Sequence, residues 1–142
     1  MQADQALVFI FSGLKESFHQ PVGMFASRGT TPSVQLSKLV IAAITAIEKA
    51  GGKVMAIVSD GAQTNRNVWT EFGIRGKVDE ETVYSFTNPF VNSRQVFVIS
   101  DVPHLFKCIR NNLYTRTVFK VNKYCQCYIA YILTTKGLIL LI

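Results

Sequence analysis

The sequence is short of the groups that build familiar sites. Three cysteines occur in 142 residues: Cys108, Cys125 and Cys127. An odd number offers no paired framework, which points to a reducing compartment. Cys-x-Cys without a second ligand pair argues against a zinc site. The two histidines, His19 and His104, lie in no recognisable triad. There is no Gly-rich phosphate loop, no nucleophile elbow and no evident small-molecule site. No apolar run reaches the roughly 20 residues of a spanning helix. Lys136 interrupts the candidate Tyr128 to Ile142. Asp4 precedes the apolar Leu7 to Leu14 with no basic region before it. Neither a secretory leader nor a membrane association is therefore expected.

What is present suits one folded domain. The chain is 49% hydrophobic and 17% charged, enough to bury a core. Its net charge of +6 favours an acidic partner such as nucleic acid or an anionic surface.

Apolar patterning predicts alternating elements. Ala6 to Leu14 and Gln20 to Ser27 read as strands joined as a hairpin through Gly13 to His19. Thr31 and Pro32 open a helix that runs to about Ala50. Leu36, Leu39, Val40, Ala43, Ile44 and Ile47 line one face of it, and Gly51 with Gly52 stops it. Lys53 to Ser59 is a strand without alternation, as expected of one buried on both faces. A short helix from about Asn65 to Phe72 follows, with Val68, Trp69 and Phe72 inward. Gly76 to Arg94 reads as a loop whose acidic triplet, Asp79, Glu80 and Glu81, is a solvated surface. Gln95 to Ser100 is a second buried-type strand. In the helix after it, Leu105, Phe106, Ile109 and Leu113 share one arc, and His104, Lys107, Arg110 and Asn111 lie opposite.

The stretch KVMAIVSDGAQTNR, Lys53 to Arg66, brings a carboxylate to a strand end. Asp60 follows one apolar strand and Asp101 the other. In a parallel sheet both would stand at one edge, where such sheets place their sites. Two hard oxygen ligands suit Mg²⁺. Capping of the helices that follow accounts for the same two positions.

VSDGAQTNRNVWTEFGI and NPFVNSRQVFVISDVPHLFKCIRNNL together resemble the P-element type transposases and the related THAP-domain-linked proteins. The second string is the more specific, with Asp101, Pro103, His104, Asn111 and Asn112 as its motif positions. DQALVFIFSGLKESFHQPVGMF fits the preceding part of that domain. The likeness covers about residues 3–113, a partial RNase H-like domain within 1–113. Residues 114–142 form an unrecognised tail.

The resemblance implies an α/β, RNase H-like mixed sheet in the order 3-2-1-4-5 with flanking helices. It implies DDE-type phosphoryl transfer with Mg²⁺ in a nuclear protein that acts on DNA. Asp60 corresponds to the second acidic residue of the catalytic set. The first aspartate, on strand 1, and the final glutamate, beyond an inserted module, have no counterpart here. The domain is therefore expected to be incomplete and inactive alone. A vacant strand-1 slot would leave Ala6 to Leu14 and Lys53 to Ser59 unpaired with each other and the fold prone to aggregate. Lys123 to Leu133 is a candidate filler. Lys107, Arg110, Arg66 and Arg116 are expected to give weak, sequence-independent DNA binding. The alternative is a non-catalytic nucleic-acid- or protein-binding module.

Overall fold

The computed structural model describes residues 2–15, 17–76, 80–115 and 138–141. In chain order its elements are β1 (Gln5–Gly13), β2 (His19–Ser27), α1 (Ser33–Lys49), β3 (Val54–Ser59), α2 (Gln63–Glu71), β4 (Ser85–Thr87), β5 (Gln95–Ser100), α3 (Val102–Thr115) and β6 (Leu138–Leu141). The strands form one mixed sheet in the order β2-β1-β6-β3-β5-β4.

The central slot is occupied. β6 lies between β1 and β3, antiparallel to the first and parallel to the second. This is the position in which the implied order places strand 1. An apolar segment from the far end of the chain therefore pairs with Ile10–Gly13 of β1 and with Val54 and Ala56–Val58 of β3, parts of the two edges expected to stand open. The filler is Leu138–Leu141. Lys123 to Leu133, the candidate filler, lies outside the described residues.

β3 is covered on both faces, as its unbroken apolar run requires: Val54, Ala56 and Ile57 are buried. α1 lays Leu36, Val40, Ile44 and Ile47 into the same core, which also takes Phe9, Val68, Val96 and Leu140. Two glycines end the helices. At Gly51 (φ 88°), Gly51 N–H donates to Glu48 O and Gly52 N–H to Ile47 O. Gly73 (φ 80°) repeats the arrangement, with Gly73 N–H on Thr70 O and Ile74 N–H on Trp69 O. Both are Schellman motifs, which need a left-handed residue that glycine supplies without a Cβ clash.

Three local expectations change. Thr31 does not cap α1: Pro32 holds the cap position and no side-chain cap bond forms. The expected loop Gly76 to Arg94 contains β4, antiparallel to β5, and Val83 bridges Arg75. Three residues carry too little alternation to register as a strand. Leu105 and Phe106 of α3 are 45% and 66% exposed, not buried. Their face is amphipathic by sequence, but among the described residues no element covers it.

Candidate functional site

β3 and β5 pair in parallel, with Ser59 beside Ser100. Asp60 and Asp101 therefore leave the sheet at one edge, as the strand pattern predicted. Asp101 N–H donates to Ser59 O at 2.9 Å, which ties the two strand ends together.

The two aspartates do different things. Asp101 caps α3: its Oδ2 accepts from His104 N–H at 3.2 Å, three residues on, the geometry of an N-cap. Pro103 stands in that helix's first turn, where a missing N–H costs nothing. Asp60 caps no helix. Its Oδ1 accepts from Ala62 N–H at 2.9 Å and from Asn65 Nδ2–H at 2.8 Å. Among the described residues nothing donates to its Oδ2. Capping thus accounts for one oxygen of Asp101, whose Oδ1 has no donor among the described residues, and Asp60 has its Oδ1 engaged twice and its Oδ2 without a donor.

The surroundings are open and mix polar with apolar side chains. Asp60 lines a cleft of about 200 Å³ with the polar Gln5, Thr31 and Thr64 and the apolar Ala6, Leu7 and Leu36. His104 closes one side of the turn: a Cβ on Gly61 would sit 3.8 Å from its Cδ2. Among the described residues no three His, Cys, Asp or Glu side chains group to hold a metal ion. The donor set at this edge is two carboxylates, one of them with an oxygen on a helix cap.

The cations stand apart from this cleft's lining. Lys107 and Arg110 are exposed on α3, and Arg66 is exposed on α2. Arg116 lies outside the described residues. Asn111 is engaged by its neighbour, Arg110 Nη2–H donating to its Oδ1 at 3.2 Å. Asn112 Nδ2–H donates to Cys108 O at 2.9 Å, so this motif position braces the helix backbone. The sequence reading missed Asn65. Its trace in the sequence, an amide side chain in the first turn of the helix after a strand-end aspartate, is not distinctive by itself.

Residues 1–73 match a family model described as the TNP-like RNase H N-terminal domain. The chain belongs to this family. That segment carries the hairpin, α1, β3, Asp60 and all of α2. A curated relative, the transposable element P transposase of Drosophila melanogaster, is 34% identical over 110 residues. The match covers 78% of this chain and 13% of that protein. A solved structure, the Drosophila P element transposase strand transfer complex, aligns with a TM-score of 0.64 at 32% identity. It covers 78% of this chain and 23% of that one. The mixed sheet is thus RNase H-like, and the chain is homologous to a small part of a much longer transposase. Among the described residues no helix is long and apolar enough to cross a membrane.

Proposed function

We propose that this chain is the metal- and DNA-facing part of a P element-like transposase domain, working in the nucleus. Asp60 would supply one carboxylate to Mg²⁺, and Lys107, Arg110 and Arg66 would hold the DNA backbone. The observation that carries this reading is the state of Asp60 at the sheet edge: one oxygen fixed by two donors, the other without a donor, beside an open cleft. Mg²⁺ takes one or two carboxylates and fills its other positions with water and phosphate oxygens, so these residues fit part of a site. Bound there, the ion would activate a water or 3′-hydroxyl and stabilise the leaving oxygen.

A single carboxylate of the implied catalytic set does not position two metals. The chain by itself is therefore expected to leave supercoiled plasmid intact in Mg²⁺ or Mn²⁺. Nicking above background that disappears with Asp60→Ala would show the acidic set to be complete in this chain.

The exposed cations of α3 favour DNA binding even without catalysis. Phosphate neutralisation makes such binding steeply salt-dependent, by about 0.9 in log–log slope per phosphate contacted. Lys107→Ala with Arg110→Ala should flatten that slope by about 2 for any duplex sequence. A salt titration by fluorescence anisotropy checks it. An unchanged slope in the double variant, or wild-type binding insensitive to salt, removes α3 from the interface.

A further inference from the structure

We infer that Asn65 is a positioning residue for Asp60, holding its carboxylate in the orientation that a divalent cation would meet. This rests on the reading of Asp60 as a metal ligand and adds a second residue to it.

Two side chains one helical turn apart on α2 reach back to the end of β3. Asn65 Nδ2–H donates to Asp60 Oδ1 at 2.8 Å. Trp69 Nε1–H donates to Ser59 Oγ at 3.2 Å, and Ser59 is buried. Residues at i and i+4 share a helix face, so both bonds come from one side of α2. Val68 anchors the helix in the core at 3% exposure. The strand end is therefore held by side chains from a fixed platform, and Trp69 and Asn65 hold adjacent residues of it.

The chemistry at Asp60 is specific. Oδ1 takes both Asn65 Nδ2–H and Ala62 N–H at 2.9 Å. Two donors on one oxygen fix both side-chain torsions of an aspartate. The amide orientation is set as well, since an Asn oxygen facing Oδ1 would repel it. Oδ2 is left to a ligand, and a carboxylate held this way has no rotamer freedom to lose when the ligand arrives. Groups that orient a metal ligand in this manner typically contribute 10- to 100-fold to metal affinity. Ala62 N–H is retained in any Asn65 variant, so the lower end of that range applies: about tenfold.

The test uses the full chain and Mn²⁺ as the probe. Broadening of the Gly61 and Ala62 amide resonances is followed as Mn²⁺ is added. The single tryptophan supplies an internal control, because its indole N–H resonance reports whether α2 remains docked on Ser59. Asn65→Leu keeps the shape and removes the donor. It should need about tenfold more Mn²⁺ for equal broadening, with the indole resonance in place. Asn65→Gln keeps an amide donor and should recover most of the wild-type response. Equal broadening in Asn65→Leu and wild type overturns the inference. Equal loss in the Leu and Gln variants overturns it too, since shape rather than the donor would then matter. Asp60→Asn separates the two layers. If it abolishes the broadening while Asn65→Leu does not alter it, Asp60 is a ligand and Asn65 has no part in positioning it. If Asp60→Asn leaves the broadening intact, the metal reading of Asp60 fails and the role of Asn65 fails with it.

Discussion

Leu140→Asp is expected to leave the protein unfolded at 25 °C. Leu140 is fully buried in the centre of the sheet, within the core cluster that holds Phe9, Ile44 and Ile57. It stands beside Phe11 on β1 and Ile57 on β3. Truncation of such a leucine to alanine costs about 2–5 kcal/mol. A buried, unpaired carboxylate adds several more. Net stability of a domain is about 5–15 kcal/mol, so the aspartate consumes most or all of it. The loss is also topological, because β6 is the only described strand linking the β1–β2 hairpin to the β3–β5–β4 half of the sheet. Leu140→Ile should cost less than about 1.5 kcal/mol. Leu105→Ala, at a 45% exposed position on α3, should stay within about 0.5 kcal/mol. Urea denaturation followed by circular dichroism ranks the three. A Leu140→Asp protein that unfolds cooperatively near the wild-type midpoint would show that β6 does not close the sheet.

That strand was the least legible part of the sequence. The hairpin, α1, β3, α2 and β5 announce themselves locally, through alternation, a continuous apolar run or a glycine stop. The edge shared by Asp60 and Asp101 followed from two buried-type strands taken as parallel. β6 has four apolar residues and no period. Its partners, Ile10–Gly13 and Val54–Val58, lie far away in sequence, so nothing local specifies where it goes. The resemblance exposed the vacancy in the sheet, and composition offered Lys123 to Leu133 as a candidate for it, whereas Leu138–Leu141 stands there. α3 fails in the opposite way: its amphipathic pattern is clear, yet Phe106 is 66% exposed. A pattern states that a face can be buried and not what is there to bury it. Asn65 was overlooked because a polar residue in a first helical turn has no distinctive pattern until its partner's position is known.

The NPFVNSR stretch reads in the sequence as loop and as part of a family likeness, and the structure gives it a mechanical role. Asn88, at 0% exposure, donates through Nδ2–H to Glu48 Oε1 at 2.9 Å. Its own Oδ1 accepts from Phe90 N–H and Val91 N–H, which shapes the turn. Arg94 Nη2–H donates to Glu48 Oε2 at 2.6 Å, and Val54 N–H to Glu48 Oε1 at 2.8 Å. One carboxylate, whose side chain is 3% exposed, thus joins the end of α1, the start of β3 and the approach to β5. It sits in the last turn of α1, where unpaired carbonyls already make the potential negative. Three donors are what make burial of the charge tolerable there.

Glu48→Ala should therefore lower stability by about 3–5 kcal/mol, the usual cost of breaking a buried ion pair from one side. It strands a guanidinium whose side chain is 19% exposed and whose buried Nη1 has no hydrogen-bond partner among the described residues. It also leaves Val54 N–H and Asn88 Nδ2–H unsatisfied. Glu48→Gln should recover little, because its amide nitrogen must face either Arg94 or the Val54 and Asn88 donors. Removing both charges is the informative comparison. Glu48→Leu with Arg94→Met exchanges the pair for apolar side chains of similar size, which often costs nothing or stabilises. The two neutral donors still lose their acceptor, at about 1–3 kcal/mol each. The double variant should thus be no less stable than Glu48→Ala, although it carries one more substitution. Urea titrations of the three proteins measure this directly. A Glu48→Ala loss below about 1 kcal/mol, or a double variant clearly less stable than Glu48→Ala, would mean that the carboxylate does not organise the NPFVNSR turn.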